Sequence, residues 1–398
     1  MNKLIVTRWN QGILTALQSE GGIIQLNLDP GPETSILGNI YIGKVKNIVK
    51  NINSAFVEFA SGQMGYYSLS ENRCHIYAKP HSGGGLKAGD EIVVQVSRDA
   101  VKTKAPVLTG NLSFPGKYCV LTLGKHVVGF SSKIRDQEWK ASVKQILPKE
   151  AGTEYGVIIR TNAQETEPDS ILSELASLCE TSRRMLSEAA YRTCFSQLYH
   201  SVPSYISDIR DLNSGTLQEI ITDDEEIFYQ LKEYMAVFQP GDSRKLTHYQ
   251  DKMLPLGKLY SLESALDHAL NKRVWLKSGG YLVIEPTEAL VVIDVNTGKF
   301  SEKKEIQAAI LKTNLEAASE ISRQLRLRNL SGIIIVDFID MEKEEDKKEL
   351  LSCLEALTAK DPVKTTVVDM TRLNLVEITR KKVRRPLYEQ VSFNRGEE

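Results

Sequence analysis

The sequence predicts a protein that combines α-helices and β-sheets in several subdomains, an α+β or α/β architecture. At 398 residues the chain exceeds the size at which a single hydrophobic core usually keeps growing. Short strand-like segments without a helical period dominate its first third, whereas strands and long helices alternate later. A content of 41% hydrophobic and 25% charged residues is that of an ordinary folded protein.

The charge balance and the cysteines restrict the possible functions. A net charge of −1 provides no overall attraction to nucleic acid, so any basic surface must be local. The five cysteines are scattered singly, without a CxxC motif or a Cys/His cluster, and no secretory signal precedes them. We therefore expect reduced thiols in a cytoplasmic protein. The longest apolar runs are too short to span a bilayer, so no membrane segment is expected.

The first half of the chain contains three segments of different pattern. Residues 1–34 alternate apolar and polar positions around turn signals, which predicts an antiparallel meander too short to bury a core alone. Residues 35–118 contain short strands at regular spacing, which predicts a small closed barrel. Residues 119–204 add strands, a candidate helix and a long helix that opens at Pro168, which predicts a second α/β unit.

The second half contains three more segments. Residues 205–270 mix short strands and helices and are candidates to complete the N-terminal meander. Residues 271–385 are the most patterned, with several strands and a helix from about Glu302 to Arg328 that carries an apolar stripe at helical spacing. Residues 386–398 form a tail.

Two aspartates occupy equivalent contexts in the most patterned segment. Asp294 ends the apolar run VVID, and Asp337 ends IIIVD after the intervening helix. If the two strands are neighbours, strand-helix-strand connectivity places both acids at one C-terminal sheet edge. Close carboxylates favour a bound cation, and oxygen ligands suit Mg²⁺. Asn296 can add a carbonyl ligand or orient a water.

A purely structural interpretation of these residues stays open at this point. Strands often end in Asp because its side chain starts an Asx-turn, and Asp340 and Glu342 are explained as solvated acids or a helix cap. No histidine follows His268, which argues against zinc or Ser-His-Asp chemistry in this segment. The functional interpretation is metal-assisted hydrolysis, in which the ion polarises a phosphoryl oxygen and activates water.

Basic and aromatic residues provide further candidates, each with a structural alternative. Arg372 adjoins a predicted strand end, and a basic cluster that follows it indicates either a phosphate-contacting surface or a solvated helix face (Arg380, Lys381, Lys382, Arg384 and Arg385). Phe56 and Tyr66 either stack bases of single-stranded RNA, with lysines such as Lys104 tracking phosphates, or belong to a core. Arg160 and Thr161 follow a buried strand and suit a terminal phosphate.

Four motifs together resemble the catalytic half of the ribonuclease E/G family of bacterial endoribonucleases. They are TNLEAASEISRQLRLRNLSGIIIVDFIDM (313–341), VWLKSGGYLVIEPTEALVVIDVNTG (274–298), GNIYIGKV with SAFVEF (38–45 and 54–59), and VIIRTNA (157–163). The resemblance extends from about residue 1 to 385. It implies an RNase H-like scaffold split into 1–34 and 205–270, an OB-fold barrel, a 5′-sensor subdomain and a DNase I-like catalytic subdomain at 271–385.

The resemblance also implies roles for individual residues. Asp294 and Asp337 would bind one Mg²⁺ ion with support from Asn296, and Arg372 would lie near the scissile phosphate. Arg160 and Thr161 match positions that bind a 5′-monophosphate, with Lys133 where a second arginine is usual. The barrel positions that grip single-stranded RNA match Phe56, Tyr66, in place of the usual Phe, and Lys104.

One departure from the family concerns assembly. Larger members carry a Cys-Pro-x-Cys element shortly after the position of Thr379 that shares a zinc ion between subunits, and this sequence has none there. We therefore expect no zinc, and any homo-oligomer would have to form without a zinc link.

The predicted function is a cytoplasmic, Mg²⁺-dependent endoribonuclease that hydrolyses single-stranded RNA, either mRNA or rRNA precursors, and leaves 5′-phosphate and 3′-hydroxyl ends. The alternative is a catalytically weak or inactive RNA-binding protein of the same architecture, associated with ribosomal RNA. A metal-dependent phosphatase acting on small molecules is a third hypothesis, which leaves the barrel unexplained.

Overall fold

The computed structural model describes residues 1–29, 35–81, 83–99, 105–297 and 306–395. The strands of these residues, in chain order, are β1 Asn2–Trp9, β2 Gly12–Ser19, β3 Gly22–Asp29, β4 Ile40–Val49, β5 Ser54–Ala60, β6 Gln63–Ser68, β7 Glu91–Arg98, β8 Val107–Thr109, β9 Ser113–Pro115, β10 Cys119–Thr122, β11 Val128–Phe130, β12 Gly156–Ile159, β13 Gln197–Tyr199, β14 Leu217–Thr222, β15 Leu246–His248, β16 Arg273–Trp275, β17 Tyr281–Pro286, β18 Leu290–Asn296, β19 Gly332–Asp337, β20 Thr365–Met370 and β21 Leu375–Arg380. The helices are α1 Gln137–Ile146, α2 Pro168–Ala189, α3 Ser204–Asp211, α4 Glu225–Phe238, α5 Leu256–Leu259, α6 Leu262–Leu270, α7 Ile306–Leu327, α8 Glu344–Thr358 and α9 Leu387–Arg395.

Chain contacts group these elements into two compact units. One unit comprises Met1–Pro30, Leu217–Gln230 and Arg244–Glu398, and the other comprises Gly31–Thr216 and Leu231–Ser243. The predicted mixture of α and β structure in several sheets is confirmed. The finer division into six segments stays a prediction.

The N-terminal meander is completed by strands from much later in the chain. Its sheet has the order β15-β14-β1-β2-β3, in which β14 pairs parallel to β1 and β2 pairs antiparallel to it. Helix α9, in the segment predicted as a tail, packs on this sheet: Leu387 and Val391 join its core, and the backbone N–H of Leu28 donates to Gln390 Oε1 at 2.7 Å.

A closed five-stranded barrel follows, as the short strands predict. Its strands run β4-β5-β6-β8-β7, and β7 returns to pair with β4, while β13 extends β4 on the outside of this ring. Gly43 permits β4 to pair with two neighbours, because a Cβ there would lie 2.6 Å from Val57 Cγ1 and 3.2 Å from the Glu58 carbonyl oxygen. The barrel is OB-like in this closure.

A four-stranded sheet of order β11-β12-β10-β9 forms the next layer, with α1 and α2 contributing to its core. Strands β11 and β12 run parallel, so their C-terminal ends lie at the same edge. Gly116, just after β9, faces the Glu174 carboxylate of α2, which accepts the backbone N–H groups of Tyr118 and Cys119 at 2.7 and 2.9 Å. This contact fixes the start of β10 beside the end of β12.

The last sheet has the order β16-β17-β18-β19-β21-β20. Among the described residues, helices α7 and α8 pack on one of its faces. Residues that alternate along its strands, such as Ile293 and Ile334, pack in one core with Ile321 of α7 and Leu350 of α8. The intervening residues of the same strands face away from these helices. Because this six-stranded sheet lies in the segment predicted to be catalytic, we refer to it as the catalytic sheet, and to its face opposite α7 and α8 as the open face.

A buried ion pair fixes the end of β21. Arg380 Nε donates to Asp361 Oδ2 at 2.8 Å, and Nη1 donates to the carbonyl oxygen of Leu330 and to Asn329 Oδ1, both at 3.0 Å. The two charged side chains are only 2% and 4% exposed. A buried charge left without its partner is strongly destabilising, whereas an intact, fully hydrogen-bonded pair is tolerated.

We therefore predict that Asp361→Asn lowers the free energy of unfolding of this unit by about 3–5 kcal/mol. The measurement is urea denaturation in a Trp139→Phe background, where the remaining Trp9 and Trp275 both belong to the unit that holds the ion pair. The matched control is Asp267→Asn on the exposed side of α6, which should change stability by less than about 0.5 kcal/mol. Equal effects of the two substitutions would contradict this role of Asp361.

Candidate active site

Two aspartates lie side by side on the open face. Asp294 on β18 pairs directly with Asp337 on β19 in a parallel ladder. Both side chains are exposed, because the alternating neighbours Ile293 and Val336 turn the other way into the core. The crossover through α7 produces this arrangement, since it returns the chain to a parallel neighbouring strand. The predicted juxtaposition of the two acids, here named the acid pair, is confirmed.

The acid pair lies in a negative environment. Asn296 donates a hydrogen bond from Nδ2 to Asp294 Oδ2 at 2.6 Å, which orients that carboxylate. Burial, and then the charges of Asp294 and Asp340, raise the pKa of Asp337. All the charges that shift this pKa are negative. The site therefore favours a cation.

The donor set fits a hard divalent ion. Two carboxylates that repel each other are relieved by Mg²⁺, which prefers oxygen ligands and commonly binds through one or two carboxylates while keeping several waters. Asn296, with an amide N–H engaged by Asp294, presents its carbonyl oxygen as a further acceptor. In the part of the chain that the structure describes, no three His, Cys, Asp or Glu side chains gather as a metal cage. The chemistry available is thus that of a two-carboxylate site.

Arg372 lies at the same sheet edge as the acid pair. It is exposed in the hairpin between β20 and β21, and Leu375, the first residue of β21, pairs with Asp337. The hairpin is tied to the loop after β19 because Asn374 donates from Nδ2 to Asp340 Oδ1 at 3.2 Å. The structure thus places the hairpin that carries Arg372 at the sheet edge where the acid pair lies. Asp340 is exposed, as expected of a solvated acid, and it also holds this hairpin.

The predicted basic cluster after β21 is only partly available for phosphate. Arg380 is 3% exposed and bound to Asp361, so the hypothesis of a phosphate-contacting surface is wrong for this residue. The other four are exposed or half-buried, and their role stays a hypothesis (Lys381, Lys382, Arg384 and Arg385).

The residues predicted to sense a 5′-phosphate lie at one edge of the four-stranded sheet. Arg160 directly follows β12, and Lys133 is exposed in the turn after the parallel neighbour β11. Thr161 begins a short 3₁₀-helix for which Arg160 is the N-terminal cap residue. The three residues thus share one region, as expected if they act together. Their binding of phosphate stays a prediction.

Two acceptors orient the Arg160 guanidinium. Nη1 donates to the Gly116 carbonyl oxygen at 2.7 Å, and Nη2 lies 2.9 Å from Asp211 Oδ1. Asp211 also pairs with Arg210 at 3.0 Å. Burial alone would raise the pKa of Asp211, but the two guanidinium groups lower it below its usual range. Sequence reasoning missed Asp211, because it lies at the end of α3 and no local pattern links it to β12.

The aromatic residues predicted on the barrel occupy adjacent strands. Phe56 and Tyr66 pair across β5 and β6, both half-buried, with ring centroids 6.3 Å apart in an edge-to-face arrangement. Their neighbours Phe59 and Tyr67 are 1% and 0% exposed and belong to the core. Lys104 lies outside the described residues. Contact of Phe56 and Tyr66 with RNA stays a prediction.

Three other side chains share the open face with the acid pair, and the sequence patterns did not indicate them as functional. They are Arg273, Trp275 and Tyr281 on the first two strands of the catalytic sheet. Strand alternation could have placed Trp275 and Tyr281 on an exposed face. The cross-strand pairing of Tyr281 with Asn296 depends on the register of β17 against β18, which the sequence alone does not fix.

Known proteins match this chain over most of its length. A model of the Ribonuclease E/G family matches residues 113–383. Ribonuclease G of Salmonella typhimurium (strain SL1344) is 32% identical over 376 residues, covering 92% of this chain and 77% of that protein. Ribonuclease G of Haemophilus influenzae (strain ATCC 51907 / DSM 11121 / KW20 / Rd) is 33% identical over 384 residues, covering 94% and 78%. Ribonuclease E of Nostoc sp. (strain PCC 7120 / SAG 25.82 / UTEX 2576) is 32% identical over 396 residues, covering 97% and 56%.

The chain belongs to the ribonuclease E/G family. Membership confirms the resemblance inferred from the four motifs, and with it the predicted enzyme class, an endoribonuclease. The residues matched to the ribonuclease E/G model include the acid pair, Asn296, Arg372 and Arg160, whereas the barrel strands β4 to β8 precede them. Over the described ranges, no helix has the length and apolar character needed to cross a membrane.

We predict that Asp337→Asn raises the urea midpoint of unfolding at pH 7 in the presence of a chelator. The folded-state pKa of Asp337 lies above its unfolded value, so its ionised form destabilises the fold at neutral pH. This cost is absent below the unfolded pKa of about 3.9 and develops as the pH rises through the folded pKa. The difference in urea midpoint between Asp337→Asn and the parent protein should therefore disappear in acid.

Magnesium provides the second half of this test. Added Mg²⁺ should raise the midpoint of the parent protein and should raise that of Asp337→Asn much less, because a ligand stabilises the state that binds it. The control is Glu288→Gln in the exposed turn between β17 and β18, which should respond to Mg²⁺ like the parent. A stabilisation by Mg²⁺ that is the same in all three proteins would contradict a metal site at the acid pair.

Proposed function

We propose that this chain is a Mg²⁺-dependent endoribonuclease that hydrolyses single-stranded RNA and leaves 5′-phosphate and 3′-hydroxyl ends. The observation that carries the proposal is the in-register acid pair on the open face of the catalytic sheet, in a chain of the ribonuclease E/G family. Its relatives are named Ribonuclease G and Ribonuclease E, which supports RNA as the substrate.

The residues of the site have distinct tasks in this reaction. Asp294 and Asp337 would hold the ion, which when bound polarises a phosphoryl oxygen and activates water for attack. Asn296 fixes the orientation of Asp294 through its 2.6 Å hydrogen bond. Arg372 brings a permanent positive charge to the same sheet edge, where it would bind the phosphate group being cleaved.

The rest of the architecture would select the substrate. Phe56 and Tyr66, with Lys104, would grip single-stranded RNA on the barrel, and Arg160, Thr161 and Lys133 would bind a 5′-monophosphate. We further propose that the sheet completed by β14 and β15 is the RNase H-like scaffold and that the catalytic sheet with α7 and α8 is DNase I-like. The substrates would be mRNA or rRNA precursors in the cytoplasm.

The competing hypothesis is an RNA-binding protein with weak or no catalysis. The retained acid pair and the hydrogen bond from Asn296 to Asp294 favour the nuclease, because a protein that only binds RNA has no need of two carboxylates held in register on an exposed face. The absence of the Cys-Pro-x-Cys element after Thr379 favours the alternative slightly, since it removes the zinc-linked assembly of larger relatives.

We predict that the protein cleaves a 5′-monophosphorylated, single-stranded oligonucleotide with Mg²⁺, and that Asp294→Asn and Asp337→Asn each slow cleavage at least about 100-fold. This lower limit follows because loss of an outer partner of a metal ligand already costs about 10- to 100-fold. Asn296→Ala should slow cleavage by a smaller factor, about 10- to 100-fold. Cleavage is followed by single-turnover kinetics, and product ends are identified by mass.

RNA binding, measured by anisotropy of a labelled strand, separates the competing hypotheses. The two aspartate variants should bind RNA nearly as the parent does, and Glu288→Gln should both bind and cleave normally. Binding by the parent without any cleavage in Mg²⁺ would establish the RNA-binding alternative.

We predict that Arg160→Lys removes most of the advantage of a 5′-monophosphate over a 5′-hydroxyl on the same oligonucleotide. Lysine keeps the charge but lacks the planar fork that now bridges Gly116 and Asp211. The measured quantity is the ratio of the two cleavage rates, and the rate on the 5′-hydroxyl strand should stay near that of the parent. Arg184→Lys, on the exposed side of α2, is the control.

A complementary variant tests Lys133. Because the family resemblance implies an arginine at this position, Lys133→Arg should increase the same rate ratio by adding a bidentate donor. A parent enzyme that cleaves both strands equally, with no response to either substitution, would show that this region does not sense the 5′ end.

A further inference from the structure

An exposed aromatic and cationic cluster lies on the open face of the catalytic sheet. It consists of Arg273 and Trp275 on β16 and Tyr281 on β17, and we name it the aromatic platform. Trp275 is 66% exposed, and its ring centroid lies 5.2 Å from that of Tyr281. The Arg273 guanidinium carbon lies 4.5 Å from the Tyr281 ring centroid and 5.7 Å from that of Trp275. The three side chains therefore form one surface.

Strand register places the aromatic platform next to the acid pair. Trp275 pairs with Tyr281, and Tyr281 pairs with Asn296, whose side chain binds Asp294. Because neighbouring strands are about 4.8 Å apart, Tyr281 is about 5 Å and Trp275 about 10 Å from β18 along the sheet. The platform thus begins one strand away from the residues that would hold the metal.

Arg273 belongs to the same cross-sheet row as the acids. It pairs with Val283, which pairs with Asp294, which pairs with Asp337. The neighbouring Lys272 is engaged by Glu285 at 3.0 Å, whereas the contacts described for the Arg273 guanidinium are with the two aromatic rings. An arginine stacked on aromatic rings keeps its N–H donors directed outward for an anion.

The charges of this face favour a polyanion only at particular places. The acid pair repels phosphate, so a nucleic-acid strand can approach it only where cations lie close by. Arg273 supplies a cation on the β17 side of the acids, and Arg372 supplies one on the β21 side. An exposed tryptophan beside such an arginine matches the chemistry of single-stranded nucleic acid, whose bases stack on aromatic faces while its phosphates bind cations.

We propose that the aromatic platform is a binding site for a nucleobase of the RNA strand, next to the phosphate at the acid pair. The base stacks on the exposed ring of Trp275, the Tyr281 ring, tilted by 58° to that of Trp275, borders the base, and Arg273 binds the adjoining phosphate. The proposal rests on the proposed function for the identity of the ligand as single-stranded RNA. It adds a base-binding subsite on the catalytic sheet itself, separate from the aromatic residues of the barrel.

The first experiment monitors Trp275 directly. The full chain with Trp9→Phe and Trp139→Phe retains Trp275 as its single tryptophan. It is mixed rapidly with a single-stranded oligonucleotide in Mg²⁺, and its fluorescence is recorded before cleavage. The expected result is quenching that saturates with RNA. The signal requires binding and no cleavage, so a protein that binds without cutting would still show it.

Two outcomes of this experiment would overturn the proposal. One is saturating RNA binding, seen by anisotropy, with no change in Trp275 fluorescence. The other is a fluorescence change that depends on protein concentration without RNA, since this would show that a second copy of the chain covers the platform.

The second experiment locates the stacked base. A series of oligonucleotides carries a single abasic site at successive positions around the cleaved bond, and Kd and single-turnover rate are measured for the parent, Trp275→Leu and Trp275→Phe. Stacking of one base is worth about 1–3 kcal/mol, so Trp275→Leu should weaken binding of the intact strand about 5- to 150-fold. Trp275→Phe should restore most of it. An abasic site at the position of the stacked base should weaken binding to the parent protein by a similar factor.

The decisive result is the coupling between the two changes. In Trp275→Leu, an abasic site at the stacked position should weaken RNA binding almost no further, because the substitution has already removed the stacking contact. Ile333→Ala, an exposed apolar residue elsewhere on the open face, is the control and should change Kd less than about 2-fold. Equal abasic penalties in the parent and in Trp275→Leu at every position would refute the subsite.

Discussion

The repulsion between Asp294 and Asp337 is the constraint on which the catalytic sheet depends. Parallel pairing of β18 and β19 fixes the two carboxylates on adjacent strands, about 4.8 Å apart at the backbone, and neither can leave without breaking the ladder. Partial burial, and then the charges of Asp294 and Asp340, raise the pKa of Asp337, so the repulsion contributes to a real cost of ionising this carboxyl group. The opposite face of the same two strands offsets it, since Ile293 and Val336 are fully buried against the helices. Apolar burial on one side of the sheet thus holds an unfavourable charge arrangement on the other.

The two faces of the sheet differ in this way because the described helices that pack on it lie on the side opposite the acid pair. Helices α7 and α8 supply the core, and α7 also provides the crossover that makes β18 and β19 parallel. The open face keeps apolar positions such as Val292 and Ile333 partly in solvent, at 36% and 51% exposure. A second helical layer there would have hidden the acid pair along with it.

The sequence made some features of this site predictable because their causes are local. The acid pair follows from two apolar runs that each end in Asp and from the connectivity rule for a helix between parallel strands. The same alternation could have corrected the assignment of Arg380, since it shares the strand parity of the buried Val376 and Ile378. Its burial was missed because a run of basic residues was weighed without that parity.

Other features depend on contacts between distant parts of the chain. The partner of Arg380 is Asp361, which precedes β20 in the chain, and the partner of Arg160 is Asp211, at the end of α3. Neither pairing produces a recognisable pattern in the local sequence, because an isolated Asp in a loop or at a helix end has many ordinary explanations. The position of Tyr281 beside Asn296 likewise depends on strand register, which tertiary packing decides.

Under the proposed function, Asp211 would allow a chain of near-zero net charge to favour one kind of phosphate. Its carboxylate lies between Arg160 and Arg210 and neutralises part of their charge. Under the proposed function, a ligand must compete with this carboxylate for the Arg160 guanidinium. A terminal phosphate monoester carries about −1.5 to −2 charges at pH 7, whereas each internal phosphodiester carries about −1. The monoester would therefore compete more strongly, and Asp211 would turn a general anion site into one that favours the 5′ end of the strand.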